Sequence, residues 1–152
     1  TWHCLHHSEL DAATLYELLA LRTQVFVVEQ NCPYLETDGQ DLIGDTCHLL
    51  ARDESGLMGY LRLLDPQHME GEVVIGRVLT AERARGSGLG HRLMERALVE
   101  CGQRWPGAPV YLSAQAHLQG YYGRYGFVAV TEVYLEDDIP HIGMRRAATD
   151  LS

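Results

Sequence analysis

The chain has 152 residues, of which 46% are hydrophobic and 22% charged, with a formal net charge of −9. That length corresponds to one domain, large enough to bury a core without disulfides or metals as staples. The acidic balance argues against a general nucleic-acid binder or a binder of anionic membranes, and apolar runs such as Val25 to Val28 are far too short to cross a bilayer.

All twelve positive charges are arginine, and lysine is absent. Cys4, Cys32, Cys47 and Cys101 form neither a C-x-x-C pair nor a framework spacing, so reduced thiols and a cytoplasmic location are expected. The opening Thr1-Trp2-His3-Cys4 lacks a basic-then-apolar leader pattern. No repeat or linker divides the chain, so a single domain over 1–152 is expected.

Trp2 to His6 reads as a first strand. His3, Cys4, His6 and His7 lie close together, but neighbours in a strand point to opposite faces and no second ligand pair follows at zinc spacing, so no metal is expected. Ser8 or Asp11 can cap a helix whose face carries Leu15, Leu18, Leu19 and Arg22, and the pattern continues through Val25, Phe26 and Glu29. Pro33 and Gly39 break the chain into a loop. Glu29, Glu36, Asp38, Asp41 and Asp45 then follow without any intervening base. They read either as a solvated face or as a pocket wall that attracts a cationic amine.

Cys47 to Arg52 and Leu57 to Leu64 read as a hairpin turned at Asp53-Glu54-Ser55-Gly56. A third antiparallel strand, Val73 to Thr80, leads to Arg85-Gly86-Ser87-Gly88-Leu89-Gly90 and a helix from Leu89 to about Arg104. Leu89, Leu93, Ala97 and Cys101 share a face of that helix, and Pro106 cannot continue it. Val110 to Ser113 is a strand parallel to the third, because a helix crosses between them. A short aromatic helix, a strand from Phe127 to Val133, an acidic turn at Glu136-Asp137-Asp138 and a last strand from Ile142 to Arg146 complete the chain.

The glycine stretch combines a backbone free to bend with the unpaired N–H groups of a helix start, an arrangement suited to phosphate or pyrophosphate. The alternative is a turn that binds nothing, which the flanking Arg83, Arg85 and Arg92 weigh against. A Walker loop needs a lysine, and the dinucleotide fingerprint would need glycine at His91 or Leu93. What remains is R-x-x-G-x-G between a strand and an amphipathic helix.

This pattern resembles the acetyl-CoA pyrophosphate loop of the GNAT superfamily of N-acetyltransferases. Tyr121-Tyr122-x-x-x-Gly126-Phe127 resembles the F-Y-x-x-x-G-F signature of the same enzymes. Leu5-His6-His7-Ser8-Glu9-Leu10, Val25 through Tyr34, and Pro140-His141-Ile142-Gly143-Met144 resemble the ElaA-like branch, a likeness running from about residue 2 to residue 146. The resemblance implies an α/β (α+β) GNAT fold. Its central sheet would be mixed and mostly antiparallel, with a splayed parallel pair, strands 4 and 5, flanked by helices.

It also implies roles for individual residues. Backbone groups of Val78, Leu79 and Thr80 would bond the pantetheine arm. N–H groups of Gly86, Ser87, Gly88, Leu89, Gly90 and His91, beside Arg85, would take the pyrophosphate. Gln115 stands where an asparagine often meets the pantetheine, and Tyr122 near the thiol, where it could protonate the departing thiolate. The competing role for Tyr122 is packing, with its hydroxyl on a backbone carbonyl. Glu29, His48, His117 and His141 are candidate bases, of which Glu29 and His117 are taken as catalytic residues. Glu29, Tyr34, Asp38, Arg77 and His141 are taken as acceptor-binding residues. Cys47 and Ser113 stand in no Cys-His or Ser-His-Asp order, so direct attack in a ternary complex is expected.

The implied activity is acetyl-CoA-dependent N-acetylation of a small cationic amine or an exposed protein amine. The alternative is a GNAT module that senses CoA or acyl-CoA without turnover. A related acyl-carrier-dependent synthase would need a basic docking patch that this acidic chain does not display. Expected partners are acetyl-CoA and an amine, with no nucleic acid and no membrane; a homodimer is compatible with the sequence.

Overall fold

Four antiparallel neighbours form one half of the sheet: β1 (Trp2–His6), β2 (Cys47–Asp53), β3 (Gly56–Leu64) and β4 (Val73–Thr80). The structure is a computed structural model, and it describes residues 1–33 and 35–148. β5 (Val110–Gln115), β6 (Val128–Ala129), β7 (Tyr134–Glu136) and β8 (Ile139–Arg146) extend the sheet in the order β1-β2-β3-β4-β5-β8-β6, with β7 also paired to β8. The helices are α1 (Ala12–Thr23), α2 (Leu89–Arg104) and α3 (Gln119–Gly123).

Strands β2 and β3 are apolar on both faces because both faces are covered. Leu49, Leu61, Leu63 and Ile75 pack with Leu89, Leu93, Met94, Ala97 and Cys101 of α2. Leu50, Leu57, Tyr60 and Leu79 pack on the other side with Leu18 of α1 and with Val25. A Cβ at Gly59 would come within 2.9 Å of Leu89 Cδ2, so glycine on β3 is what lets α2 sit down on the sheet. Asp11 caps α1 by accepting from Thr14 N at 2.7 Å, and the helix passes at Thr23 into a π-helical segment, Gln24–Glu29.

The sheet opens at its parallel seam. β4 and β5 pair only at Val73↔Val110 and Val74↔Tyr111, although β4 continues to Thr80 and β5 to Gln115. On the other side of β4, the pairs Tyr60↔Leu79 and Arg62↔Gly76 enclose two steps of β3 but three of β4. The additional residue is a bulge, and within it Arg77 adopts φ 54°. A bulge increases local twist, turning this end of β4 away from its parallel neighbour.

The last third differs from the expected pattern. The strand expected from Phe127 to Val133 is reduced to Val128–Ala129, and β8 begins at Ile139 instead of Ile142. Thr131 Oγ1 accepts from Gly143 N at 2.8 Å, so a side chain takes the bond that a strand neighbour would otherwise make. Tyr134–Glu136 then folds back as its own hairpin with β8. Its two turn residues, Asp137 and Asp138, both lie in the left-handed region (φ 51° and 64°), as a type I′ turn requires.

Candidate active site

The gap between β4 and β5 leads into a cleft of about 580 Å³. Its walls are β4 from Val74 to Val78, β5 from Tyr111 to Gln115, Tyr122 of α3, and a far side that includes Asp38, Arg62, Glu136 and His141. Residues of β5 alternate across the sheet: Val110, Leu112 and Ala114 are buried, while Tyr111, Ser113 and Gln115 are half-buried on the opposite face.

The glycine loop lies at the end of β4 where the seam has opened. Gly86 (φ 83°) and Gly88 (φ 79°) need the left-handed region, and Gly88 is the residue that starts α2. A Cβ at Gly86 would meet nothing within 4 Å, and one at Gly88 only Arg92 Nη1 at 4.0 Å. Glycine is therefore required here by backbone conformation, and the space before the loop is open. No side chain caps the start of α2, which leaves its first N–H groups available to an anion. Ser87 Oγ donates to Ala84 O at 2.6 Å and Arg92 Nη1 to Ser87 O at 3.4 Å, bracing the loop from within. Arg83 is held by Asp53 and is committed to the β2–β3 turn. Gly90 allows Tyr121 to approach α2, since its Cβ would stand 3.2 Å from that hydroxyl, and His91 Nδ1 bonds the hydroxyl of Tyr125.

Tyr122 is 9% exposed and meets Tyr121 edge-on at 5.1 Å and Phe127 at 6.3 Å. Burial, with a smaller contribution from Tyr125, pushes its phenol above the ordinary value, so it stays protonated at neutral pH. Among the described residues its hydroxyl has no hydrogen-bond partner, and its ring lines the cleft. The alternative in which that hydroxyl is spent on a backbone carbonyl has no such bond to support it.

The acidic run divides: Asp45 is exposed, Asp38 lines the cleft, and Glu36, Asp38 and Asp41 are each bonded by arginine. Glu36 and Asp41 are buried and bound by fully buried Arg22: Nε to Glu36 Oε1 at 2.7 Å, Nη1 to Asp41 Oδ1 at 2.6 Å. Arg62 grips Asp38 with two nitrogens, at 3.0 and 2.6 Å, and also reaches Asp41 at 3.1 Å. Arg77 Nε donates to Glu36 Oε1 at 2.8 Å. Three arginines thus match three carboxylates. Burial pushes the Asp38 carboxyl up, but the bonds and charges of Arg62 and Arg77 outweigh it and hold the group at about 2. In Asp41 burial is likewise outweighed, chiefly by Arg22, and the carboxyl lies below its usual value.

The remaining candidates separate by placement. Glu29 is tied to Arg85 Nη2 at 2.8 Å, beside the glycine loop and outside the cleft lining. His117 is exposed on the turn after β5 and is likewise outside the lining. Tyr34 lies outside the described residues. His48 is fully buried, with Nδ1 on Tyr60 and Nε2 on Asp41 O, which makes it a structural residue, and burial holds its imidazole below the ordinary value. Cys47 sits in the core under α2, while Ser113 lines the cleft with its hydroxyl bonded to Tyr134. Gln115, Asp38, Arg77 and His141 do line the cleft.

Arg62 and Glu136 were missed as cleft residues. The signal for Arg62 was an arginine inside the apolar run Leu57 to Leu64, which demands a buried acid; Glu136 gave none beyond its place in an acidic turn. Among the described residues no group of three or more His, Cys, Asp or Glu side chains is arranged to hold a metal, and no helix is long and apolar enough to cross a membrane.

Residues 22–148 match the model of the acetyltransferase (GNAT) domain. The chain is 54% identical to protein ElaA of Escherichia coli over 145 residues, 95% of each chain. Its fold superposes on the crystal structure of that ElaA with a TM-score of 0.91, covering 96% of this chain and 99% of the other. An acyl-CoA N-acyltransferase from Pseudomonas aeruginosa matches at a TM-score of 0.95 and 68% identity, covering 97% and 99%. A likeness that spans nearly the whole chain, in sequence and in fold, places this protein in the GNAT acetyltransferase family.

Proposed function

We propose that the protein transfers an acetyl group from acetyl-CoA to a primary amine by direct attack in a ternary complex. The observation that carries this reading is the early parting of β4 from β5, after two paired positions, with the glycine loop at the same end. An extended pantetheine can enter such a gap and bond to strand edges as another strand would. Val78, Leu79, Thr80 and Gln115 are the groups available to it, and the N–H groups from Gly86 to His91, with Arg85, suit the pyrophosphate. The left-handed glycines and the open space before them fit an anion held against backbone. A backbone N–H of Leu79 or Thr80 can stabilise charge on the thioester oxygen, and Tyr122 can give its proton to the departing sulfur.

The acceptor arrives from the far side of the cleft. Glu36, Asp38 and Asp41 are matched by arginine, so attraction for an ammonium group falls to Asp137 of the acidic turn. The acyl-CoA specificity in the name of the Pseudomonas relative supports the donor. The second reading, a CoA-sensing module without turnover, draws on the same glycine loop but leaves the cleft's protonated Tyr122 without a task. The test is free-thiol release from acetyl-CoA with a panel of primary amines. Amine-dependent release is expected; tight CoA binding with no amine-dependent release would favour the sensor.

A further inference from the structure

One imidazole on the cleft wall is bonded so that a single nitrogen is left to accept a proton. His141 lies on β8, opposite Gln115 of β5 and Tyr134 of β7, and is 8% exposed. Its Nδ1 is 2.7 Å from Ile139 O. A carbonyl oxygen can only accept, so Nδ1 carries the hydrogen and the neutral ring keeps its lone pair on Nε2. Glu136 Oε2 is 3.4 Å from that Nε2. A carboxylate there stabilises the ring after it has gained a proton. The ring also stacks on Tyr134 at 6.3 Å and 27°, and Tyr134 is anchored through its hydroxyl to Ser113.

Among the described residues, the charged and titratable groups around His141 are Glu136 and Tyr134 of β7 and Asp137 of the turn, while β5 offers uncharged Gln115. The cleft arginines, Arg62 and Arg77, are engaged with Asp38, Asp41 and Glu36. The other candidate bases lack this arrangement. His48 has both ring nitrogens engaged, Glu29 is held by Arg85, and His117 lies outside the lining.

We propose that His141 is the general base of the transfer, with Glu136 as the residue that positions its ring and steadies the imidazolium; this rests on the acetyl-transfer reading above. The ammonium of the acceptor gives one proton to His141 Nε2. The nitrogen lone pair then forms the C–N bond at the thioester carbonyl carbon. The C–S bond breaks with its electron pair on sulfur, which takes the hydroxyl proton of Tyr122. The nitrogen's second proton returns to Tyr122 through solvent, and the imidazolium releases its proton to bulk water.

The variant His141→Asn keeps a donor toward Ile139 O and removes the base. With n-butylamine, a cation at neutral pH, single-turnover acetyl transfer should fall roughly 10²-fold or more, within the range of a positioned base. The fall of parent kcat/KM on acidification should be absent in the variant. With hydroxylamine, already uncharged at pH 7, the loss should be only a few-fold. Glu136→Gln should lower kcat while leaving the KM for amine within about twofold, a split that follows from acting through His141. Nitrogen-15 correlation spectra, with the His141 signal assigned by its loss in the variant, should show hydrogen on Nδ1 in the neutral ring. Hydrogen on Nε2, or equal losses with both amines, overturns the base. A parent that releases no thiol with any amine overturns the transfer reading itself.

Discussion

Replacing Arg22 by methionine tests the buried ion network that holds the acceptor side of the cleft. Arg22 is fully buried and supplies three bonds: to Glu36 Oε1 at 2.7 Å, Asp41 Oδ1 at 2.6 Å and Glu36 O at 3.2 Å. Methionine fills much of the space but leaves two buried carboxylates short of a cation. Breaking a buried pair from one side costs about 3–5 kcal/mol. The lower end applies here, because Arg77 still reaches Glu36 and Arg62 still reaches Asp41. About 3 kcal/mol is a large share of a typical stability of roughly 5–15 kcal/mol. At roughly 2–4 °C per kcal/mol for a chain of this size, Tm should fall by about 6–12 °C. Urea unfolding of Arg22→Met beside Arg83→Met is the assay. Arg83 pairs with Asp53 at a site where both side chains are 40% exposed, so water replaces the lost partner and the midpoint should barely move. The double variant Arg22→Met, Asp41→Asn should recover much of the loss, since Arg62 and Arg77 are then matched by Asp38 and Glu36. Equal midpoints for Arg22→Met and Arg83→Met would show that the buried network carries no more stability than an exposed pair.

Gly88→Val places a β-branched residue at φ 79° and a side chain before the N–H groups of α2, so calorimetry should show CoA affinity falling by at least about tenfold, the equivalent of 1.4 kcal/mol, in a folded protein; unchanged affinity would remove the loop assignment. Tyr122→Phe keeps the ring contacts and removes the proton donor, so acetyl-CoA affinity should hold while single-turnover transfer slows at least about tenfold; equal rates would leave Tyr122 a packing residue. Asp38 and Asp41 have carboxyls depressed in the folded state, so their stabilising contribution is complete above the unfolded carboxylate range of about 4 and is lost as pH falls through the folded values, about 2 for Asp38. Unfolding free energy measured in urea should therefore drop between about pH 4 and pH 2, and the drop should shrink in Asp38→Asn.

Much of the donor side was legible because its signals are local. Gly86 and Gly88 declare left-handed backbone, and helix α2 is bounded in sequence by Gly88 and Pro106, so its limits, Leu89–Arg104, fall where expected. The acceptor side was not legible in the same way. Glu36, Asp38 and Asp41 have no base near them in sequence; their partners come from α1, β3 and β4, up to 41 residues away. Arg22 among leucines and Arg62 in an apolar run were the available hints that buried acids must exist. The break between β6 and β7 depends on Thr131 meeting Gly143, a long-range contact that residue alternation does not encode. His141 was visible as a candidate, but its advantage over Glu29 and His117 lies in strand register, which sets it opposite Gln115 at the cleft wall.

In the proposed function, the parted strands and the glycine loop hold acetyl-CoA for transfer. A crystal structure of the protein grown with CoA tests it most directly. Pantetheine should run between β4 and β5, with pyrophosphate oxygens bonded to N–H groups within Gly86–His91 and sulfur near the Tyr122 hydroxyl. CoA seated elsewhere, with the seam empty and the loop N–H groups facing solvent, would contradict it.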